Sequence, residues 1–142
     1  MNQVAVVYWS GTGNTEIMAN IVADSAKEAG AEVSLFTTAD FSAEKMEDFD
    51  TIGFGCPSMG DEVLEEMEFQ PLYEECRPKL SGKKIALFGS YDWGDGEWMR
   101  NWEEEARLDG ATLVSDSVIC NLEPDTQAEE ALKALGKALA QS

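Results

Sequence analysis

An apolar run, Val4-Ala5-Val6-Val7-Tyr8-Trp9, stops at the loop Ser10-Gly11-Thr12-Gly13-Asn14-Thr15, and a helical pattern starts straight after it. A strand that feeds a helix through a small, hydroxyl-rich loop is the unit around which the rest of the chain is organised. Gly11 and Gly13 let the backbone come close to a ligand, while Ser10, Thr12, Asn14 and Thr15 add hydroxyl or amide donors to the unpaired first-turn N–H groups. Together they can bind a phosphate dianion without a lysine or an arginine. A P-loop would need Gly-Lys-Ser/Thr, and Gly13-Asn14-Thr15 has no lysine, so triphosphate hydrolysis is not expected. The dinucleotide fingerprint fails as well, because Glu16 stands where its third glycine belongs. A single terminal phosphate suits the loop better, although such a loop taken alone is also an ordinary turn and helix cap.

The chain has 142 residues, which predicts one domain over 1–142 with a core of its own and no room for a separate substrate domain. With 28 Asp and Glu against 10 Lys and Arg, the formal net charge is -18, and nucleic acid or an anionic membrane is a poor partner. Acid of this kind serves solubility, or, if it is one-sided, steering toward basic proteins. No apolar run reaches the roughly 18 residues of a membrane span, and no secretion signal is seen, so the cytosol is the expected place of work. Cys56, Cys76 and Cys120 are odd in number and form no Cys-x-x-Cys pair, which predicts packed, reduced thiols and no metal site. Histidine is absent, which removes the usual general base, and any redox chemistry must come from a bound organic cofactor.

Along the chain, Ile17, Met18, Ile21, Val22 and Ala26 mark a first helix closed by Gly30, and 32–37 and 51–56 read as strands with a weaker helix at 43–47 between them. Val63, Leu64, Met67, Leu72 and Tyr73 predict a helix broken near Pro71, and 84–89 is a nearly all-apolar strand suited to the centre of a parallel sheet. Trp98, Met99, Trp102 and Ala106 predict a helix that stops at Gly110, with the tryptophans in the core. A last strand spans 112–114 and 118–120, interrupted around Asp116, before a helix that opens on a capping box, Thr126-x-x-Glu129, and buries Ala128, Ala131, Leu132, Leu135, Ala138 and Leu139. Five strands alternating with five helices predict an α/β fold, a doubly wound five-stranded parallel sheet with helices on both faces. Ligands of such sheets bind beyond the carboxyl ends of the strands.

Three loops lie at those ends. The second is Pro57-Ser58-Met59-Gly60-Asp61-Glu62, and the third begins Ser90-Tyr91-Asp92-Trp93-Gly94. Met59 and Trp93 are large and apolar, yet sit among glycines and acids where no core periodicity accounts for them. A flat aromatic ligand held between them would. Packing onto the protein is the alternative, the more so for Met59, since methionine fills gaps readily.

The segments Tyr-Trp-Ser-Gly-Thr-Gly-Asn-Thr-Glu at 8–16, Met-Gly-Asp-Glu at 59–62 and Phe-Gly-Ser-Tyr-Asp-Trp-Gly-Asp-Gly-Glu-Trp at 88–98 resemble short-chain bacterial flavodoxins, in order and spacing over essentially the whole chain. The resemblance implies a flavodoxin-like fold, one non-covalent FMN and low-potential electron transfer between redox partner proteins through a neutral semiquinone. It implies a non-catalytic carrier, a monomer that meets partners with basic docking surfaces. It gives Ser10, Thr12, Gly13, Asn14 and Thr15 to the phosphate, the inner ring face to Met59 and the outer face to Trp93. The Gly60 carbonyl would turn to accept the proton on N5, which glycine permits because positive φ costs it little, and Glu62 would accept from N3. Gly11, Pro57, Ser58, Asp61, Ser90, Tyr91, Asp92 and Gly94 complete the expected cofactor contacts. Asp92 departs from the family pattern, where glycine is common, and adds a charge beside the ring.

Two other functions compete. A receiver domain shares the topology and the acidity, but needs acids after the first strand, an aspartate ending the third and a lysine ending the fifth, where this chain has Trp9-Ser10, Gly55-Cys56 and Cys120-Asn121. A small FMN-dependent reductase would need a nicotinamide site and preferably a second domain, for which the length is short.

Overall fold

The computed structural model describes residues 2–142. Strand β1 (Gln3–Tyr8) lies in the sheet with β2 (Glu32–Thr37) on one side and β3 (Thr51–Gly55) on the other. Next to β3 comes β4 (Lys84–Tyr91), which carries two short strands on its far side, β5 (Thr112–Leu113) and β6 (Val118–Asn121). Every pairing is parallel, and the order is β2-β1-β3-β4 with β5 and β6 both on β4. The expected sheet is present, its fifth strand split between Leu113 and Val118 as the interruption around Asp116 predicts.

Period-two alternation assigns each strand residue to one of two cores. Val4, Val6 and Tyr8 of β1 pack with α1 (Asn14–Glu28) and α4 (Thr126–Gln141) through Met18, Val22, Leu132, Leu135 and Leu139. Ala5 and Val7 face the other way, with α2 (Phe69–Cys76) and α3 (Glu97–Leu108), onto a cluster of Phe54, Phe69, Tyr73, Trp98 and Trp102. Both tryptophans of α3 are buried, as their i, i+4 spacing predicts. The two helices on the first face approach closely at Gly136, where an added Cβ would lie 2.5 Å from the Val22 carbonyl oxygen.

Four details depart from the sequence expectation. The segment Ala43–Asp48 is a 3-10 turn, so the sheet is covered by four α-helices among the described residues. Helix α2 begins at Phe69, and Val63 exchanges backbone hydrogen bonds with Met59 instead of starting a helix. The cause is Glu65, only 5% exposed, whose carboxylate accepts from the N–H groups of Met67, Glu68 and Phe69 at 2.8, 2.7 and 2.8 Å and so fixes where the helix starts. Pro71 then falls in the first turn, where its missing N–H costs nothing, and no break occurs. Finally, α4 is capped by Asp125, which accepts from Ala128 N–H at 2.8 Å, and not by a box from Thr126; its buried face is Ala128, Leu132, Leu135, Gly136 and Leu139, with Ala131 exposed and Ala138 half-buried.

Candidate functional site

At the carboxyl ends of β1, β3, β4 and β6 the loops enclose a cleft of about 480 Å³. Its first wall is the turn into α1: Ser10, Gly11, Thr12, Asn14 and Thr15 line it, and Trp9 stands beneath. Gly13 N–H donates to the Ser10 hydroxyl at 3.1 Å, and Gly13 itself, at φ +100°, forms the N-cap of α1 with no side chain capping the helix. The first-turn N–H groups of a 15-residue helix therefore point at the cleft without a protein acceptor, beside four hydroxyl or amide side chains and no cation. That chemistry accepts a phosphate. The loop is held from below: Trp9 Nε1 donates to Glu68 at 2.6 Å, and a Cβ on Gly11 would meet the Trp9 ring at 2.9 Å.

The second wall comes from β3, whose chain continues through Pro57 and Ser58 to Met59 and Gly60. Ser58 N–H donates to the Ser90 carbonyl at 3.0 Å, extending the ladder toward the cleft. Reciprocal bonds between Met59 and Val63, at 2.8 and 2.9 Å, close a tight loop with Gly60, Asp61 and Glu62 at its tip. Gly60 has φ +50° and Glu62 has φ +56°. Beneath this loop Cys56 accepts from Glu65 N–H at 3.3 Å, and burial pushes its thiol well above the ordinary range.

The third wall is the end of β4, with Ser90, Tyr91, Asp92 and Trp93 on the cleft. Met59 and Trp93 remain 38% and 56% exposed, so two large apolar groups face an open gap. Tyr91 leans on the buried Trp98, ring centroids 5.6 Å apart, and Trp98 Nε1 donates to the Cys56 carbonyl at 3.2 Å, which ties the second and third walls together.

Of the 17 expected contacts, 13 line the cleft, and Gly13, Asp61, Glu62 and Gly94 do not. Gly13 lines a hollow on the other side of its loop with Tyr8 and Glu16, where burial, and then a 3.0 Å hydrogen bond to Glu16, raise the Tyr8 phenol. Asp61 is exposed at the loop tip. Glu62 is turned into the protein: its Oε1 accepts from Gly96 N–H at 3.1 Å and Glu97 N–H at 2.9 Å, at the start of α3. Gly94 is what makes room, since a Cβ there would fall 2.5 Å from the Glu62 carboxyl carbon. Two cleft residues, Trp9 and Leu122, are absent from the expected contacts. Leu122 follows β6, and the rule that ligands sit beyond strand ends would have found it had it been applied to the split last strand.

A family model described as Flavodoxin matches residues 6–135. A flavodoxin of Clostridium beijerinckii is 47% identical over 135 residues, covering 95% of this chain and 97% of the relative. A flavodoxin of Megasphaera elsdenii is 44% identical over 139 residues, covering 98% and 99%. Among solved structures, the solution structure of two-electron reduced Megasphaera elsdenii flavodoxin superposes with a TM-score of 0.91, covering 98% of this chain and 99% of that one at 44% identity. A Streptococcus pneumoniae flavodoxin gives 0.87 at 26% identity, covering 98% of each chain.

Proposed function

The chain belongs to the flavodoxin family, and on that premise we propose that the cleft between residues 10–15, 57–60 and 90–93 is its FMN site. It is an electron carrier and not an enzyme, and it exchanges electrons with redox partner proteins. When bound, FMN supplies reversible one- and two-electron chemistry. The whole of 1–142 acts as one FMN-binding unit.

The observation that carries the site is the cation-free, uncapped N-terminus of α1 opening on the same cleft as the exposed Met59 and Trp93. Ser10, Thr12, Asn14 and Thr15, with the first-turn N–H groups, hold the phosphate through neutral donors and the helix dipole. Gly13 shapes that turn. Met59 and Trp93 flank the ring and exclude water from its faces. Gly60 holds a proton at N5 through its carbonyl after the peptide turns, a motion its left-handed φ of +50° and lack of a side chain allow. Glu62 anchors one carboxylate oxygen on α3 and offers the other to N3–H. Asp61 and Gly94 act at the rim, the first as a charge and the second as the space Glu62 needs.

The carrier works as a monomer in the cytosol and meets basic faces on its partners. The formal charge of -18 supports this, and so do the exposed acids Asp61 and Asp92 on the second and third loops and Glu97 at the start of α3. No helix among the described residues is long and apolar enough to cross a membrane.

The test is a titration of the flavin-free protein with FMN and with riboflavin, followed by flavin fluorescence. The unaltered protein should bind FMN more tightly, and Thr12→Val or Asn14→Ala should weaken FMN selectively by about 1.5 to 3 kcal/mol for each charge-assisted bond removed. Equal losses for both ligands would put the phosphate elsewhere.

A further inference from the structure

The sheet ends at β6, which pairs with β4 and has no strand on its outer side among the described residues. Its register sets Phe88 against Val118 and Tyr91 against Asn121, and the ladder closes where Leu122 N–H donates to the Tyr91 carbonyl at 2.8 Å. A strand residue turns its N–H and its C=O to the same side, and that side alternates along the chain. Val118 and Cys120 therefore bond toward β4, while Ile119 and Asn121 each present an N–H and a C=O to the outside, about 6.6 Å apart. The extended run stops at the next residue, Leu122, whose φ is +59°. Natural sheets cover or blunt such edges. This one opens on a groove of about 650 Å³ between β6 and α4, where Ala128, Ala131 and Ala134 stand three residues apart and leave the channel unfilled.

We infer that this groove is a docking site for an extended, basic segment of a partner protein, which adds to β6 as a further strand of the sheet. The outward groups of Ile119 and Asn121 supply the main-chain bonds, and the alanines leave room for every second side chain of the added strand. Charge decides which chain comes. Asp116 stands before β6 and Glu123 and Asp125 follow it, all three exposed, and no Lys or Arg lines the groove. A second copy carries its own formal charge of -18 and is repelled from this edge. The acids that keep like chains apart thus select a strand bearing lysine or arginine. Tyr91 lines both the groove and the cofactor cleft, so a segment seated here tethers its protein beside the cleft and raises the local concentration of that partner. The edge itself does not depend on what fills the cleft.

The probe is an acetylated and amidated peptide, Lys-Val-Lys-Val-Lys, added to the isotope-labelled full chain in the presence of FMN. The amide protons of Ile119 and Asn121 should move downfield with saturable binding, and those of Val118 and Cys120 much less. N-methylation of the valines and N-methylation of the lysines remove donors from opposite edges of the peptide, so one modified peptide should bind and the other should not. Glu-Val-Glu-Val-Glu should not bind. Asp116→Asn combined with Glu123→Gln should weaken the lysine peptide by about threefold to tenfold. Ala131→Phe fills the channel from an exposed helix position and should block the peptide while leaving the fold intact. No binding, equal losses on either methylation, or shifts spread over the other acidic loops would overturn the strand addition, the last two by showing adsorption to the overall charge. A dimer in sedimentation that Ala131→Phe abolishes would overturn the occupant in favour of a second copy.

Discussion

Asp92 is an exposed carboxylate on the cleft wall next to Trp93, with no basic residue lining the cleft to offset it. The fully reduced flavin is expected to be an anion, so a carboxylate close by makes the second electron harder to add. At a separation of roughly 6 Å the repulsion is about 3 kcal/mol at an effective dielectric of 20 and under 1 in water, and exposure favours the lower figure. Asp92→Asn should therefore raise the second one-electron potential of the bound FMN by about 30 to 100 mV and move the first much less, which a potentiometric titration reads directly. Equal shifts in both would mean that the charge acts from elsewhere. Gly60 bears on the same titration from another side. At φ +50° a threonine is strained, and its branched Cβ resists the turn of the 60–61 peptide, so Gly60→Thr should bring the two potentials closer together. An unchanged separation would refute the peptide turn without touching the binding site.

Glu65 and Glu62 do for helices α2 and α3 what neither helix does for itself. Glu65 satisfies three N–H groups at the entrance of α2, so Glu65→Ala should lower stability by about 2 to 3 kcal/mol in urea unfolding, while Glu65→Gln retains part of the bonding and loses less. These carboxylates also show where the sequence was legible and where it was not. The strands and the helices at 14–28, 97–108 and 126–141 followed from periodicity, because each places one face on a core. The 63–73 segment did not, since an apolar pattern cannot reveal that a buried glutamate four residues before Phe69 starts the helix late. In the site, the loop before α1 and the pair Met59 and Trp93 were readable as chemistry out of place. The inward turn of Glu62 was not, because it depends on positive φ at a non-glycine and on the space left by Gly94, both properties of the folded chain. Leu122 escaped for the same reason: nothing in Asn121-Leu122-Glu123 announces a left-handed leucine.

Burial pushes the Cys76 thiol up to about 12 and raises Cys56 and Cys120 as well, whereas an unfolded thiol ionises near about 8.5. The folded value lies above the unfolded one, so the thiols favour the fold fully below about pH 8.5, and that contribution is lost as pH rises from there toward 12. Lys83, held low by its own burial, works in the opposite direction. Urea midpoints should fall between pH 8 and 10, and Cys76→Ala should flatten the fall; a flat profile in the unaltered protein would contradict the burial of the thiols. Across the surface, the charge of -18 implies that electron exchange with a basic partner slows as salt rises, since steering is screened over about 10 Å at 0.1 M ionic strength. A rate constant independent of salt would reduce the acid to a solubility device. The strand order carries a kinetic consequence. The half-sheet β2-β1-β3 is built from residues 3–55, so a chain emerging from the ribosome has these strands before β4 exists. The face that α1 covers is completed only when Leu132, Leu135 and Leu139 arrive, and the bond from the Thr51 hydroxyl to the Leu139 carbonyl, 2.9 Å long, joins residues 88 positions apart. Docking of the C-terminal helix is therefore expected to come late in folding, and the interval before it is when the nascent chain most needs shielding from its neighbours.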